Sequence, residues 1–155
     1  MDEIDRNIAI ALQQDGSAGL AELAKVSGLS VSATAERVKR LEERGVVRGW
    51  RADLDPAHVG CPLLGFVFVN LRPGRDDAAF RRAMSRHEHV LECHRVTGGW
   101  TFLLKLRVAD LRAFEMFMEE ELRGQPAVER IESLLAIATE KETAILPVAP
   151  ATDEE

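Results

Sequence analysis

A chain of 155 residues with a formal net charge of −6 has room for one domain or two small ones, and its apolar and charged fractions are those of a globular protein, neither fibrous nor wholly disordered. A fold of this size buries roughly 70% of its unfolded surface, so its core needs no cross-links; Cys61 and Cys93, each in an apolar or strand-like run without a CxxC partner, read as buried, reduced thiols. No charged-then-apolar leader opens the chain, and no apolar run approaches the length of about 20 residues that spans a bilayer, so the expectation is a cytoplasmic protein with no membrane partner.

Residues 2–14 read as a helix with Ile4, Ile8, Ala11 and Leu12 on one face, acidic residues in its first turn and Gly16 as its stop. Residues 20–27 and 31–43 follow as two more helices. Gly28 breaks the pattern between them, and Ser30 is placed to cap the later one. Two short helices joined by a tight Gly turn are the anatomy of a helix-turn-helix, whose second helix enters the DNA major groove. With Thr34, Val38 and Leu41 inward, the outer face of that helix carries Ser32, Ala33, Glu36, Arg37 and Arg40. Small residues at its start, Ser30 among them, let the backbone approach bases and phosphates closely. After Gly45, residues 46–52 read as a short hairpin, a wing from which Arg48 and Arg51 project toward phosphate.

Acidity taken alone opposes nucleic acid, because phosphate binding is driven by positive charge and counterion release. Its distribution removes the objection. Between Arg37 and Arg51 the chain carries six basic residues against Glu42 and Glu43. Oligomerisation would present several such stripes together.

Residues 55–62, with two prolines and Gly60, read as a linker between a domain at 1–54 and a second at 63–146. From Leu63 the period changes. Residues 63–71 form a continuous apolar run typical of a buried strand; residues 76–86 read as a helix with Phe80, Ala83 and Met84 inward. Strands at 90–97 and 101–108 flank a Gly98-Gly99 turn. Asp110 caps a helix running to residue 122, with Leu111, Phe114 and Met118 on its apolar face, and residues 128–139 give a fourth strand. The order β-α-β-β-α-β is the ferredoxin-like pattern. A sheet with both helices on one face leaves its other face uncovered, and the same sheet of a second subunit is the simplest cover. Residues 147–155 have neither period nor a substantial apolar run and read as a mobile tail.

The fold class is therefore α+β, a winged helix-turn-helix domain followed by a ferredoxin-like domain. In this order the parts resemble the Lrp/AsnC family, the feast/famine regulators of bacteria and archaea. The resemblance is carried by DEIDRNIAIAL at the start, by GLSVSATAERVKRLEERGVVRGWRADLDP and by TGGWTFLLKLRV. It implies a transcriptional regulator that binds double-stranded DNA, dimerises through its C-terminal domains, assembles into tetramers or octamers, and senses an amino acid or related small molecule. Effectors of the family bind between dimers near the turn joining the second and third strands. That region maps onto Thr97, Gly98, Gly99, Trp100 and Thr101, with Ser133 and Leu135 of the fourth strand on a facing wall. This turn departs from the family's frequent Gly-Asp-x-Asp-Tyr pattern, because Gly99, Thr101 and Phe102 replace the two acids and the tyrosine. Losing two carboxylates points away from an ordinary α-amino acid, toward a bulkier aromatic or less cationic ligand, or toward none. Trp100 either stacks on a ligand or fills a subunit interface.

An enzyme is the rival class. Siroheme decarboxylases share the architecture, and His87, His89, His94 and Cys93 are the residues that could act as ligands. Alternate strand residues face opposite sides, so Cys93 and His94 do not converge on one centre. No Ser/His/Asp or Cys/His nucleophile arrangement, phosphate-cradling loop or HExxH run is present, and neither catalysis nor a cofactor is expected. A further rival is a sensor whose N-terminal domain contacts protein instead of DNA.

Overall fold

The computed structural model describes residues 1–74 and 77–149, which form two compact units. The first comprises Met1–Asp53 with the described part of the segment from Lys141, and the second spans Leu54–Glu140.

In the first unit α1 (Glu3–Gln14), α2 (Leu20–Ser27) and α3 (Val31–Glu43) close around Ile8, Leu12, Leu23 and Leu41. The starts of α1 and α3 and the stop of α2 have local causes. Asp2 caps α1 by accepting the Asp5 N–H at 2.8 Å, and Ser30 caps α3 by accepting the Ala33 N–H at 3.2 Å. Gly28 ends α2 with φ of 70°, a left-handed conformation that glycine adopts at no steric cost. Inside the α2–α3 corner the buried hydroxyls of Ser27 and Thr34 meet at 3.0 Å, and Thr34 also donates to the Ser30 carbonyl at 3.0 Å. These bonds remove the penalty of burying two hydroxyls and fix the angle at which α3 leaves the turn.

The expected wing hairpin is not formed. Residues 46–52 hold no strand; Val46 and Val47 both direct their N–H groups to the Leu41 carbonyl, at 2.9 and 3.1 Å, and so finish the end of α3 in place of a ladder. A two-stranded ribbon this short has too little packing to hold itself. The segment is anchored instead by Trp50, whose indole N–H donates to Glu42 at 3.2 Å and whose ring lies against Gly16.

The second unit is a four-stranded antiparallel sheet in the order β2-β3-β1-β4, built from β1 (Leu63–Leu71), β2 (Val90–Arg95), β3 (Phe102–Val108) and β4 (Val128–Leu135). Helices α4 (Asp77–Arg86) and α5 (Leu111–Phe117) cover one face. Alternation decides the core: Val67 and Val69 of β1 and Phe102, Leu104, Leu106 and Val108 of β3 point at Phe80, Met84, Phe114 and Phe117. Gly65 is a close-approach site, since a Cβ there would lie 2.6 Å from the Phe114 ring. Beyond Phe117 the chain continues as a π-helical turn, Met118–Arg123, that keeps Met118 and Leu122 in the core.

Several expected details differ. The helix read as 76–86 is described from Asp77, residue 76 lying outside the described residues, and Ala83 and Leu111 are exposed because Phe80, Met84, Phe114 and Phe117 already fill the helix–sheet space. β4 stops at Leu135 where pairing with β1 runs out, short of the expected 139. Cys61 and Cys93 are free, as read, but half-buried instead of buried. Residues 56–60 are a set of turns, nucleated by Asp55 accepting the Ala57 N–H at 2.8 Å. The second compact unit runs to Glu140, and the segment that follows it contacts α1. The Gln13 amide makes two bonds to the backbone of Leu146, at 2.7 and 3.1 Å, and Arg6 Nε donates to the Ala149 carbonyl at 2.9 Å. Residues 147–149 of the expected mobile tail are thus held on α1, and 150–155 lie outside the described residues.

Candidate DNA-binding and effector sites

On α3 the apolar spacing turns Thr34 and Leu41 inward and leaves Ser32, Glu36, Lys39 and Arg40 exposed, with Ala33 half-buried beside them. Ser30 and Ser32 hold their hydroxyls 3.2 Å apart at the helix start, where backbone N–H groups favour an anion. The basic residues sort by their partners, with the exposed Lys39 at 3.7 Å from Glu43 and the exposed Arg44 at 3.9 Å from Asp5. Arg40, Arg48 and Arg51 are exposed and have no carboxylate partner among the described residues. Arg37 is different, for its guanidinium bonds Asp2 and lies 2.9 Å from Asp5, leaving its side chain only 24% exposed. Three residues beyond Thr34, it faces α1, not the outer surface. The Asp2 carboxyl is held below the usual range, first by the Asp5 N–H and then by Arg37, and the two carboxylates in turn keep Arg37 charged. Asp2 and Asp5 thus complete the DNA-reading unit structurally; a sequence offers no sign of this beyond acids in a helix's first turn.

In the second unit the turn from Thr97 to Thr101 closes β2 onto β3, with Gly98 at φ of 95°. It is pinned by Asn70, the one polar side chain in the apolar β1 run. The Asn70 amide donates to the Gly99 carbonyl at 2.9 Å and accepts the Thr101 N–H at 2.7 Å. Those bonds fold Trp100 back over the sheet face that α4 and α5 leave open. Its ring centroid lies 5.7 Å from that of Phe68, and the Arg130 guanidinium stands 4.1 Å from the indole centroid. Asn70 and Arg130 are directly paired across β1 and β4. Neither was singled out from the sequence, although an asparagine ending a run of apolar strand residues is a usable signal.

Ser133 and Leu135 are not brought to this cluster. They stand opposite Val67 and Gly65, on the helix side of the sheet, whereas Trp100 meets Phe68 and Arg130 on the open side. The period of two separates them. Within one chain the residues that close on the turn from β4 are those around Arg130.

The rival metal or tetrapyrrole centre is scattered by the same alternation. Cys93 pairs with Leu104 toward the helices and His94 with Leu103 on the open face, while His87 packs edge-on against Phe117 with centroids 4.9 Å apart. His94 bonds Glu92 at 2.9 Å, which, with Lys105, keeps that carboxyl below its usual range. Among the described residues no three His, Cys, Asp or Glu side chains form a metal-ligand group, and no helix is long and apolar enough to cross a membrane.

A capped helix-turn-helix unit joined to a ferredoxin-like domain defines a ligand-modulated transcription regulator. Residues 1–42 match the AsnC-type helix-turn-helix domain, and residues 64–146 match the Lrp/AsnC ligand binding domain. The chain belongs to the Lrp/AsnC family. It is 41% identical over 130 residues to the leucine-responsive regulatory protein of Escherichia coli strain K12, covering 83% of this chain and 79% of that protein, and equally to that of Klebsiella pneumoniae. Among solved structures it is similar to the L-Met complex of a transcriptional regulator from Neisseria meningitidis, with a TM-score of 0.90, 31% identity and coverage of 95% and 96% of the two chains. The leucine response regulatory protein of Mycobacterium tuberculosis superposes with a TM-score of 0.80 at 37% identity, covering 92% and 96%.

Proposed function

We propose that this regulator lays α3 in the major groove of double-stranded DNA, where Ser30, Ser32, Ala33 and Glu36 meet base edges and the backbone while Arg40, Arg48 and Arg51 meet phosphate. The observation that carries this reading is the sorting of the basic side chains. Arg37 is spent inside the unit, whereas Arg40, Arg48 and Arg51 are presented without a carboxylate partner among the described residues. Two or more copies, joined by the open sheet face into dimers and then tetramers or octamers, multiply that stripe and offset the acidity of the single chain. The protein acts in the cytoplasm, beside the DNA it controls, and works by binding, with no catalytic step. An amino acid or related small metabolite bound at the Thr97–Thr101 turn between dimers changes its assembly or its grip on DNA. The similarity to a regulator solved with L-Met supports this.

Fluorescence anisotropy with the DNA upstream of the protein's own gene tests the DNA contact. Arg40→Ala should weaken binding by roughly tenfold, lower the salt slope by about 1 and leave the oligomer mass unchanged. Unaltered affinity at moderate salt would reject the assignment of α3.

A further inference from the structure

We propose that the Arg130–Trp100 pair reads the effector's carboxylate, and that the effector is a carboxylic acid without an α-ammonium group, such as a 2-oxo acid or an arylalkanoic acid. The inference rests on the reading of the Thr97–Thr101 turn as the effector site, and it names the ligand class of that site.

The turn itself carries no anion. Thr97, Gly98, Gly99, Trp100 and Thr101 carry no carboxylate, and Asn70, the polar group closest to them, has both ends of its amide committed to the turn's own backbone. An incoming ammonium group therefore finds no anion in the turn to replace its water. Arg130 offers the opposite. Its guanidinium rests 4.1 Å from the Trp100 ring centroid and has no carboxylate partner among the described residues. Stacking on an indole fixes the plane of a guanidinium through cation–π attraction while leaving the N–H edge open. A fixed, unpaired N–H edge is a bidentate receptor for a carboxylate, and the conformational cost of forming it is already met by Trp100. The next acid on the same face of β4, Glu132, pairs in register with Phe68 and makes no ion pair with Arg130. It is the only side chain on that face of β4 able to serve an ammonium, so it defines the competing zwitterion reading.

The test is titration calorimetry of the full-length protein with four probes: 4-methyl-2-oxopentanoate and phenylacetate, against leucine and phenylalanine. We expect at least one of the two acids to bind tenfold or more tightly than its amino-acid counterpart. Arg130→Gln should weaken that acid at least tenfold, while Glu132→Gln leaves it unchanged. The fluorescence of Trp100, read in a Trp50→Phe background, should respond to the acid in the parent and not in Arg130→Gln. If leucine or phenylalanine binds more tightly and loses affinity in Glu132→Gln, the ligand class is wrong while the site stands. If none of the four probes binds or perturbs Trp100, both the ligand class and the effector reading of the turn fall. If Arg130→Gln changes only the oligomer mass by sedimentation, the guanidinium serves assembly and the proposal fails.

Discussion

Arg37 and Arg40 stand one turn apart on the same helix, and the contrast between them sets the chemistry of the first unit. Arg40 is exposed with no carboxylate partner among the described residues; Arg37 ties α3 to the start of α1 through Asp2 and Asp5. The tie has a pH signature. The Asp2 carboxyl has a lower pKa folded than unfolded, so its contribution is fully present above the unfolded value of about 4 and is lost as the pH falls through the folded one. Asp2→Asn keeps the N-cap acceptor and removes the charge. Its melting temperature should lie below the parent's at neutral pH and converge with it in acid once the folded-state Asp2 carboxyl is protonated, in thermal scans followed by circular dichroism; a gap that is the same at every pH would reject the ion pair as its source. Helical spacing sets Arg37, and not Arg40, beside the inward Thr34 and Leu41, but it names no partner for the guanidinium. Only the packing of α1 against α3 puts one of them beside two carboxylates.

At the scale of elements, local signals and packing divide the work. The three helices of the first unit, the Ser30 cap and the Gly28 stop were legible because capping and left-handed glycine depend on a few neighbouring residues. The wing was not, because whether Val46 and Val47 pair with a second strand or close the end of α3 depends on where the Leu41 carbonyl lies. Two substitutions probe these causes. Ser30→Ala removes the cap of α3 and should cost about 1 kcal/mol in urea denaturation, with weaker DNA binding following from a frayed first turn. Gly65→Ala drives a methyl into the Phe114 ring and should destabilise the second unit by about 1–3 kcal/mol while sparing the first. Hydrogen exchange would show the loss confined to β1, β3 and β4; protection lost equally in both units would contradict it.

For the whole molecule, the unanswered surface is the open face of the sheet. Phe66, Phe68 and Leu103 are only half-buried there, and Leu134 is 51% exposed, which leaves an apolar strip that a second copy can cover. Phe66→Asp should convert dimers and larger assemblies to monomers in sedimentation velocity; assemblies of unchanged mass would place the interface elsewhere. The chain also passes between its two units twice, at Asp53–Leu54 and again at Glu140–Lys141, because the later segment returns to α1. Sequence alone determined the helix-turn-helix and the β-α-β-β-α-β order that follows it, since hydrophobic period, caps and turns are written within a few residues of one another. It also carried the family resemblance. The tertiary structure alone decided which charges are spent and which are left, and which side chains share a face of the sheet. Arg37 is consumed by a helix 32 residues away, Asn70 pins a turn some 30 residues on, and Arg130 reaches Trp100 across β1, while Ser133 and Leu135 fall on the far side. Those pairings depend on strand register and helix packing, which bring together residues that no local pattern connects.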